Sequence, residues 1–189
     1  MALVSTVHPR VSYADLQQAP DDGRRYELYD GEVFVVPAPF RRHQRTAQRI
    51  HRLLERYAER HGGEALIAPI DIVFSPYDVV QPDVVYFELT KAQRLKLDAP
   101  IREVPTLAVE VLSEGTAAND RGRKLRLLAR FRVPEYWIAD PTTCTLAIFT
   151  LSGKSYHLAQ EAAGRDTVRS TALPNLKIPV SRLFPDPPA

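Results

Sequence analysis

Apolar side chains recur at helical spacing in two stretches of the sequence, and this periodicity predicts two amphipathic helices. The first is predicted from Arg41 to Arg60 and is followed by two glycines, which favour a helix stop. The second is predicted from Arg121 to Phe131, and its apolar stripe begins with Lys124. A capping-box pattern predicts a further short helix from Tyr13 to Gln18.

Short runs rich in valine, isoleucine and aromatic residues lie between and after these helices, a pattern typical of buried strands. Asp30-Gly31 separates the first two runs and predicts a type I′ hairpin. The region between Leu89 and Pro105 contains no such run and is predicted to be a loop. The predicted strands read YELY, EVFVV, EALIAPIDIVF, DVVYF, TLAVEVL, EYWIAD, CTLAIFT and KSYHLA.

The order of these elements predicts an α/β fold in which α-helices flank a mixed central β-sheet, with a β-hairpin near the N-terminus. A length of 189 residues and a mass of 21.3 kDa suit one domain, which we assign to residues 1–189. We expect its core to span about residues 11–158 and the proline-rich tail, about residues 183–189, to be frayed.

Composition excludes several classes of protein. With 44% hydrophobic and 25% charged residues, the chain is neither wholly disordered nor collagen-like. Its longest charge-free stretch, Pro141 to Gly153, has 13 residues, fewer than the roughly 18 that a membrane span needs. The first ten residues lack the pattern of a secretory signal, so the expected location is cytoplasmic, and the single Cys144 agrees with a reducing compartment.

The charge distribution is more informative than the net charge of +2. The segment from Arg41 to His61 carries seven arginines against two glutamates, and the segment from Arg121 to Arg132 carries six basic residues and no acid. The rest of the chain is therefore net acidic. Two basic segments on an acidic body fit a phosphate-binding groove beside carboxylates, and they equally fit the solvated faces of two helices.

Two carboxylates stand in apolar strands, where a charge is unfavourable unless something compensates it. Glu110 lies between two valines, and Asp83 follows Pro82 at the start of its strand. Adjacent strands would bring the two acids together, and a Mg²⁺ ion between them would relieve their repulsion. Alternatively, Asp83 is an ordinary residue at a strand end and Glu110 forms a salt bridge.

Lys124 heads the apolar stripe of the second helix, because it precedes Leu127, Leu128 and Phe131 at spacings of three, four and seven residues. Its stem should therefore point toward the sheet, where an ammonium group needs an anion. Glu110 is the predicted partner, since a short loop connects its strand to this helix. In the alternative, the stem extends along the helix to water.

Taken in order, Pro82-Asp83, Glu110 and an inward lysine resemble the PD-(D/E)XK nuclease superfamily. More closely, the chain from Val11 to Leu158 resembles the Uma2 (Uma-two) family of bacterial restriction-endonuclease-like proteins. The stretches that carry this resemblance are YELYDGEV, VVQPDVVYF, LAVEVLSEGTAANDRGRK and FRVPEYWIADP.

The resemblance implies a restriction-endonuclease-like core and a Mg²⁺-dependent endonuclease, with Mn²⁺ as a substitute. Asp83 and Glu110 would be catalytic metal ligands, and Lys124 would be the catalytic lysine. The superfamily pattern has lysine two residues after the glutamate, where this chain has Leu112. Lys124 stands where a migrated lysine would be. Glu27 resembles the extra acid that completes the metal site in many members, although it also fits a solvent-facing strand carboxylate.

The implied substrate is DNA, with RNA not excluded, and no membrane is involved. His43, Arg41, Arg45 and Arg121 are candidates for phosphate contacts, or else ordinary surface residues. Ser113 and Asp120 would shape the loop near the site, and Asp120 fits a helix N-cap equally well. A homodimer would allow both strands of a duplex to be cut.

Two alternative functions are consistent with the same residues. In the first, the chain is a non-catalytic nucleic-acid-binding module whose acids serve stability or bind a catalytically silent metal ion. In the second, it is a structural or toxin-like partner protein that binds no nucleic acid. Other chemistries lack their motifs: there is no nucleophile elbow, the segment around Lys154 reads as a hairpin turn rather than a phosphate loop, and the histidines lack zinc spacing.

Overall fold

A computed structural model of the chain describes residues 9–20 and 22–185. The helices are α1 (Tyr13–Gln18), α2 (Arg41–His61), α3 (Leu89–Ala92), α4 (Ala117–Asn119) and α5 (Leu125–Arg130), with a π-helical turn (Asp120–Lys124) between α4 and α5 and a 3-10 turn (Val180–Arg182) after the last strand. The strands are β1 (Arg25–Tyr29), β2 (Glu32–Val36), β3 (Glu64–Ile67), β4 (Ile72–Ser75), β5 (Asp78–Val80), β6 (Val84–Phe87), β7 (Leu107–Val111), β8 (Glu135–Asp140), β9 (Thr145–Ser152), β10 (Ser155–Ala163), β11 (Thr167–Arg169) and β12 (Lys177–Pro179).

The central sheet has six strands in the order β10-β9-β8-β7-β6-β3. Its β7 and β8 are parallel and its other pairs are antiparallel, so the sheet is mixed, as predicted. A second sheet has the order β2-β1-β5-β4, and β11 pairs with β12 in a third. No helix in the described ranges is both long and apolar enough to cross a bilayer.

The predicted N-terminal hairpin is confirmed. β1 and β2 pair antiparallel, and the two turn residues, Asp30 and Gly31, both have positive φ angles, 54° and 82°. Positive angles at both positions define a type I′ turn, whose twist matches that of the strands. The short helix α1 is also confirmed, with a capping box between Ser12 and Asp15.

Strands β6, β7 and β8 of the central sheet are buried on both faces, because their side chains alternate between two packed layers. On one face, Val109 and Val111 pack with Ile50 and Leu54 of α2. On the other, residues such as Ala108 pack with the helical layer of α5. Glu110 alternates with the valines and therefore points to the α5 face.

The second predicted helix begins earlier than expected. Helical structure starts at Ala117, passes through the π turn and continues to Arg130; we call this segment α4–α5. The expectation that Asp120 is an N-cap is wrong, since Asp120 lies inside the segment and is buried. The π turn adds one residue to a helical turn, a local irregularity that recurs at functional sites.

Several short elements were not predicted, among them β5, β11, β12 and α3, and the run EALIAPIDIVF, predicted as one strand, forms β3 and β4 in two different sheets. β5 joins the second sheet through hairpin pairing with β4. With three residues, β5 is too short to leave a periodic signal in the sequence. The predicted loop between residues 89 and 105 contains α3, and its Ile101 forms a bridge with Ile72.

The core extends beyond residue 158, where the sequence analysis ended it. Leu183 and Phe184 are buried against the α2 face of the sheet, so the predicted frayed tail begins too early; its last four residues, 186–189, lie outside the described ranges. Buried Glu135 of β8 holds residues 170–172, which lead into this C-terminal part of the core. Its carboxylate accepts hydrogen bonds from the indole of Trp137, the hydroxyls of Ser170 and Thr171, and the amides of Thr171 and Ala172.

Candidate functional site

Asp83 and Glu110 meet on one face of the central sheet because of the register between β6 and β7. Val84 pairs with Val109, so the next position places Asp83 opposite Glu110, and opposing antiparallel residues point to the same side. Both side chains are buried, with 8% of Asp83 and 4% of Glu110 exposed. The Val111 amide donates to Asp83 Oδ2 at 2.8 Å and fixes that carboxylate.

Lys124 enters the same place from the π turn, and only 3% of it is exposed. Its Nζ donates to Glu110 Oε1 at 2.7 Å, which is the predicted ion pair. A second carboxylate, Glu27 Oε1, lies 2.9 Å from Nζ, and a third, Asp120 Oδ1, lies at 3.5 Å. The lysine stem therefore does not extend to water.

Glu27 lies on β1 and is buried, so its interpretation as a solvent-facing carboxylate is wrong. Besides its contact with Lys124, Glu27 Oε1 accepts a hydrogen bond from the backbone amide of Gln81 at 2.8 Å. Glu27 Oε2 accepts a hydrogen bond from the Tyr29 hydroxyl at 2.6 Å. The Tyr29 hydroxyl in turn accepts from Asn119 at 2.8 Å. Each oxygen of Glu27 thus accepts at least one hydrogen bond, and a metal ion held by this carboxylate would share these oxygens with their present partners.

His43, in the first turn of α2, is buried and lies on the other side of Asp83. Its Nε2 is 3.0 Å from Asp83 Oδ2, and its buried Nδ1 has no hydrogen-bond partner among the described residues. The three candidate arginines are not brought into this cluster. Arg41 and Arg45 are exposed on α2, and Arg121 is exposed with its guanidinium 4.0 Å from Asp140.

Burial dominates the electrostatics of the cluster. It raises the pKa of Glu110 well above its usual value, against the lowering effect of Lys124 and with further increases from the other carboxylates. Burial alone would lower the pKa of Lys124, but Glu110 and Glu27 raise it well above its usual value, so the lysine stays charged. Burial also raises the pKa of Asp120, whose two oxygens make no hydrogen bond within the described chain.

A narrow cleft opens onto these side chains, and about 20 Å³ of it is open to a water-sized sphere. Asp83 Oδ1 and Glu110 Oε2 accept no hydrogen bond from the described residues and keep contact with the cleft solvent. The residues that line the cleft are Arg25, Glu27, Val36, Pro37, Pro39, His43, Gln81, Asp83, Glu110, Ser113, Thr116, Asn119, Asp120 and Lys124.

The donor set fits a partial metal site rather than a complete cage. In the described ranges, no three or more His, Cys, Asp or Glu side chains are grouped so that they could hold a metal ion. Asp83 and Glu110 offer one free carboxylate oxygen each. Two carboxylates suffice for Mg²⁺ when substrate phosphate and water supply the remaining ligands. The cluster therefore fits a divalent ion that binds together with a phosphate.

Comparison with known proteins identifies the family of the chain. A model of the Uma2 family, described as "Putative restriction endonuclease", matches residues 13–181. The chain belongs to the Uma2 family. An uncharacterized protein of Synechocystis sp. (strain ATCC 27184 / PCC 6803 / Kazusa) is 25% identical over 150 residues, which cover 77% of this chain and 76% of that protein.

A solved structure shares the fold of this Uma2 chain. It is described as a "putative nuclease belonging to DUF820" from Anabaena variabilis ATCC 29413, and it superposes with a TM-score of 0.75 at 13% sequence identity. The match covers 92% of this chain and 97% of that one. The predicted family and the predicted restriction-endonuclease-like fold are therefore confirmed.

Sequence reasoning missed three residues of this Uma2 chain that orient Glu27, directly or through a neighbour. Gln81 and Tyr29 orient Glu27, and Asn119 orients Tyr29. A signal was available for Tyr29, because it follows Glu27 by two residues on one strand and so shares its face. Asp120 was expected near the site, and its position four residues before Lys124 on one helical segment also indicates its contact with that lysine.

Proposed function

We propose that this Uma2 chain is a divalent-metal-dependent nuclease that hydrolyses phosphodiester bonds in DNA. One observation carries the proposal: two buried carboxylates, each with a free oxygen toward the same cleft, lie beside a buried charged lysine. Burying such charges is unfavourable in a protein whose sheet could hold apolar residues there, so a function for the charges is the better account.

Asp83 and Glu110 would hold Mg²⁺ or Mn²⁺ through Asp83 Oδ1 and Glu110 Oε2. A metal ion bound there supplies a water of lowered pKa and a positive charge near the phosphate. The chain's own residues prepare this arrangement. The Val111 amide and His43 fix the orientation of Asp83. Glu27 keeps Lys124 charged and close to Glu110, where the ammonium can stabilise negative charge on a substrate oxygen.

The basic segments would hold the nucleic-acid backbone outside the cleft. Arg41 and Arg45 are exposed on α2, the helix that delivers His43 to the cleft, and Arg121 is exposed on the segment that delivers Lys124. Their guanidinium groups suit contacts with phosphate oxygens, which position a duplex without reading its sequence.

The test is cleavage of supercoiled plasmid and of labelled single-stranded DNA and RNA with Mg²⁺ or Mn²⁺. The variants are Asp83→Asn, Glu110→Gln and Lys124→Met. The matched controls are Asp98→Asn and Lys96→Met, which remove the same charges from exposed positions of the loop after α3. We expect nicking that requires metal, persists in both controls and falls at least about 100-fold in the three site variants.

A non-catalytic binding module would give a different result. It would bind nucleic acid with a steep salt dependence, show no metal-dependent cleavage of any substrate, and bind equally well in the Asp83→Asn variant. That outcome would refute the nuclease proposal. Cleavage of RNA alone would correct the substrate and leave the assignment of the site intact.

A further inference from the structure

An aromatic side chain stands unpacked next in the chain to residues that line the cleft. Phe40 is 82% exposed, although a buried phenylalanine would stabilise the fold far more. It ends the segment from Pro37 to Phe40 that connects β2 to α2. Pro37 and Pro39 of this segment line the cleft itself. Phe40 is therefore held at the edge of the candidate site by two residues of fixed φ angle.

Phe40 also occupies a position where its residue type does not help the helix. It is the N-cap of α2, where serine, threonine, aspartate or asparagine would hydrogen-bond the first turn, and no side-chain cap is present. Neither core packing nor helix capping accounts for this phenylalanine. An external contact would account for it.

The surroundings indicate which kind of molecule would make that contact. Arg41, Arg42 and Arg45 are exposed, and their side chains form no ion pair or hydrogen bond with other residues of the described chain. His43, the residue after Arg42, lines the cleft, and its buried Nδ1 has no hydrogen-bond partner among the described residues. A polyanion complements three unpaired guanidinium groups, and an aromatic ring beside them complements a nucleobase.

We propose that Phe40 stacks on an unpaired base of a nucleic acid whose backbone follows Arg41, Arg42 and Arg45. Inside an intact duplex the base faces are covered by their neighbours, so the ring gains a partner only where a base is unstacked. The site therefore favours single-stranded or locally unpaired nucleic acid over perfect duplex. This inference rests on the proposed function, because it takes the cleft to act on nucleic acid.

The test measures binding rather than cleavage, with EDTA present so that no strand is cut. Fluorescence anisotropy compares a labelled single-stranded 16-mer, a perfect duplex, a duplex with one unpaired base, and an abasic strand of equal length. We expect Phe40→Ala to weaken binding of the single strand and of the bulged duplex about 5- to 150-fold, the range of one base–aromatic stack. Binding of the abasic strand and of the perfect duplex should change less than about twofold.

Two further variants sharpen the experiment. Leu97→Ala removes a fully exposed apolar side chain from the loop after α3 and should leave all four affinities unchanged. Phe40→Trp should preserve affinity and provide a spectroscopic signature. The chain's own Trp137 is fully buried, so fluorescence quenching on binding of the single strand would report stacking at position 40.

Several outcomes would overturn the inference. Unchanged affinity of Phe40→Ala for the single strand would do so, as would an equal loss on the abasic strand. Dimerisation that disappears in Phe40→Ala without a change in affinity would assign the surface to a second copy of the chain. A wild type that binds bases through Phe40 but cleaves nothing would refute the nuclease and retain the stacking surface. An active nuclease whose binding does not change in Phe40→Ala would refute the stacking surface and retain the nuclease.

Discussion

Lys124→Met separates the charge of the lysine from its volume. Methionine keeps most of the apolar stem, and the variant loses only the ammonium group that lies within 3.5 Å of three carboxylates. Glu27, Glu110 and Asp120 would then be buried together without that ammonium group. Removal of one partner from a buried ion pair costs about 3–5 kcal/mol, since the remaining charge is left uncompensated. For a domain whose unfolding free energy is about 5–15 kcal/mol, this is a large fraction.

The loss should depend on pH in a defined direction. Burial already raises the pKa of Glu110 above its unfolded value, and Lys124 opposes that rise. Without the lysine, the native state binds protons more tightly than the unfolded state, so native stability falls as pH increases above the usual glutamate pKa. We therefore expect a larger loss at pH 8 than at pH 5. Glu27→Gln in the Lys124→Met background removes one of the buried charges and should recover about 1–3 kcal/mol.

Urea unfolding followed by far-UV circular dichroism measures these differences, in EDTA at pH 5 and pH 8. Lys96→Met, an exposed lysine, is the control and should change stability by less than about 0.5 kcal/mol. A loss below about 1 kcal/mol at pH 8, a loss independent of pH, or no recovery with Glu27→Gln would refute the view that Lys124 is the counter-ion of this cluster.

Three other changes have defined outcomes. Asp120→Asn should stabilise the chain by about 1 kcal/mol near neutral pH; because burial raises the pKa of Asp120, the gain should disappear below the usual aspartate pKa, and thermal unfolding across pH checks this. His43→Ala should weaken Mn²⁺ binding about 10- to 100-fold by freeing Asp83 to rotate, which the metal dependence of the melting temperature reports; an unchanged dependence would contradict this. Glu135→Ala should cost about 3–5 kcal/mol and expose residues 170–184 to limited proteolysis, whereas a protease-resistant variant would show that the segment is held by apolar packing alone.

Local chemistry made the hairpin and the Glu110–Lys124 pair predictable. Asp30-Gly31 specifies its turn without help from the rest of the chain, and helical periodicity alone aims Lys124 at the sheet.

Contacts between residues distant in sequence were not predictable in the same way. Glu27 is buried because β1 passes beside the π turn, and that depends on how the second sheet packs, which no local pattern encodes. His43 reaches Asp83 only through the placement of α2. β11 and β12 have a weak strand pattern in the sequence, because a strand of three residues has too few alternations between apolar and polar positions.

The Glu135 carboxylate links the end of the described chain to the strand beside the candidate site. Glu135 pairs with Leu107 at the start of β7, and β7 carries Glu110 near its other end. The donors to Glu135 come from residues 170–172, so a nascent chain that has emerged from the ribosome only as far as β10 would bury a carboxylate lacking most of its hydrogen bonds. The hydrogen bonds that stabilise this carboxylate are then complete only after residues 170–172 have emerged, although all six strands of the central sheet precede them. Co-translational folding should therefore leave the site less stable until that late point, and a truncation that removes residues 170–184 should lower its stability.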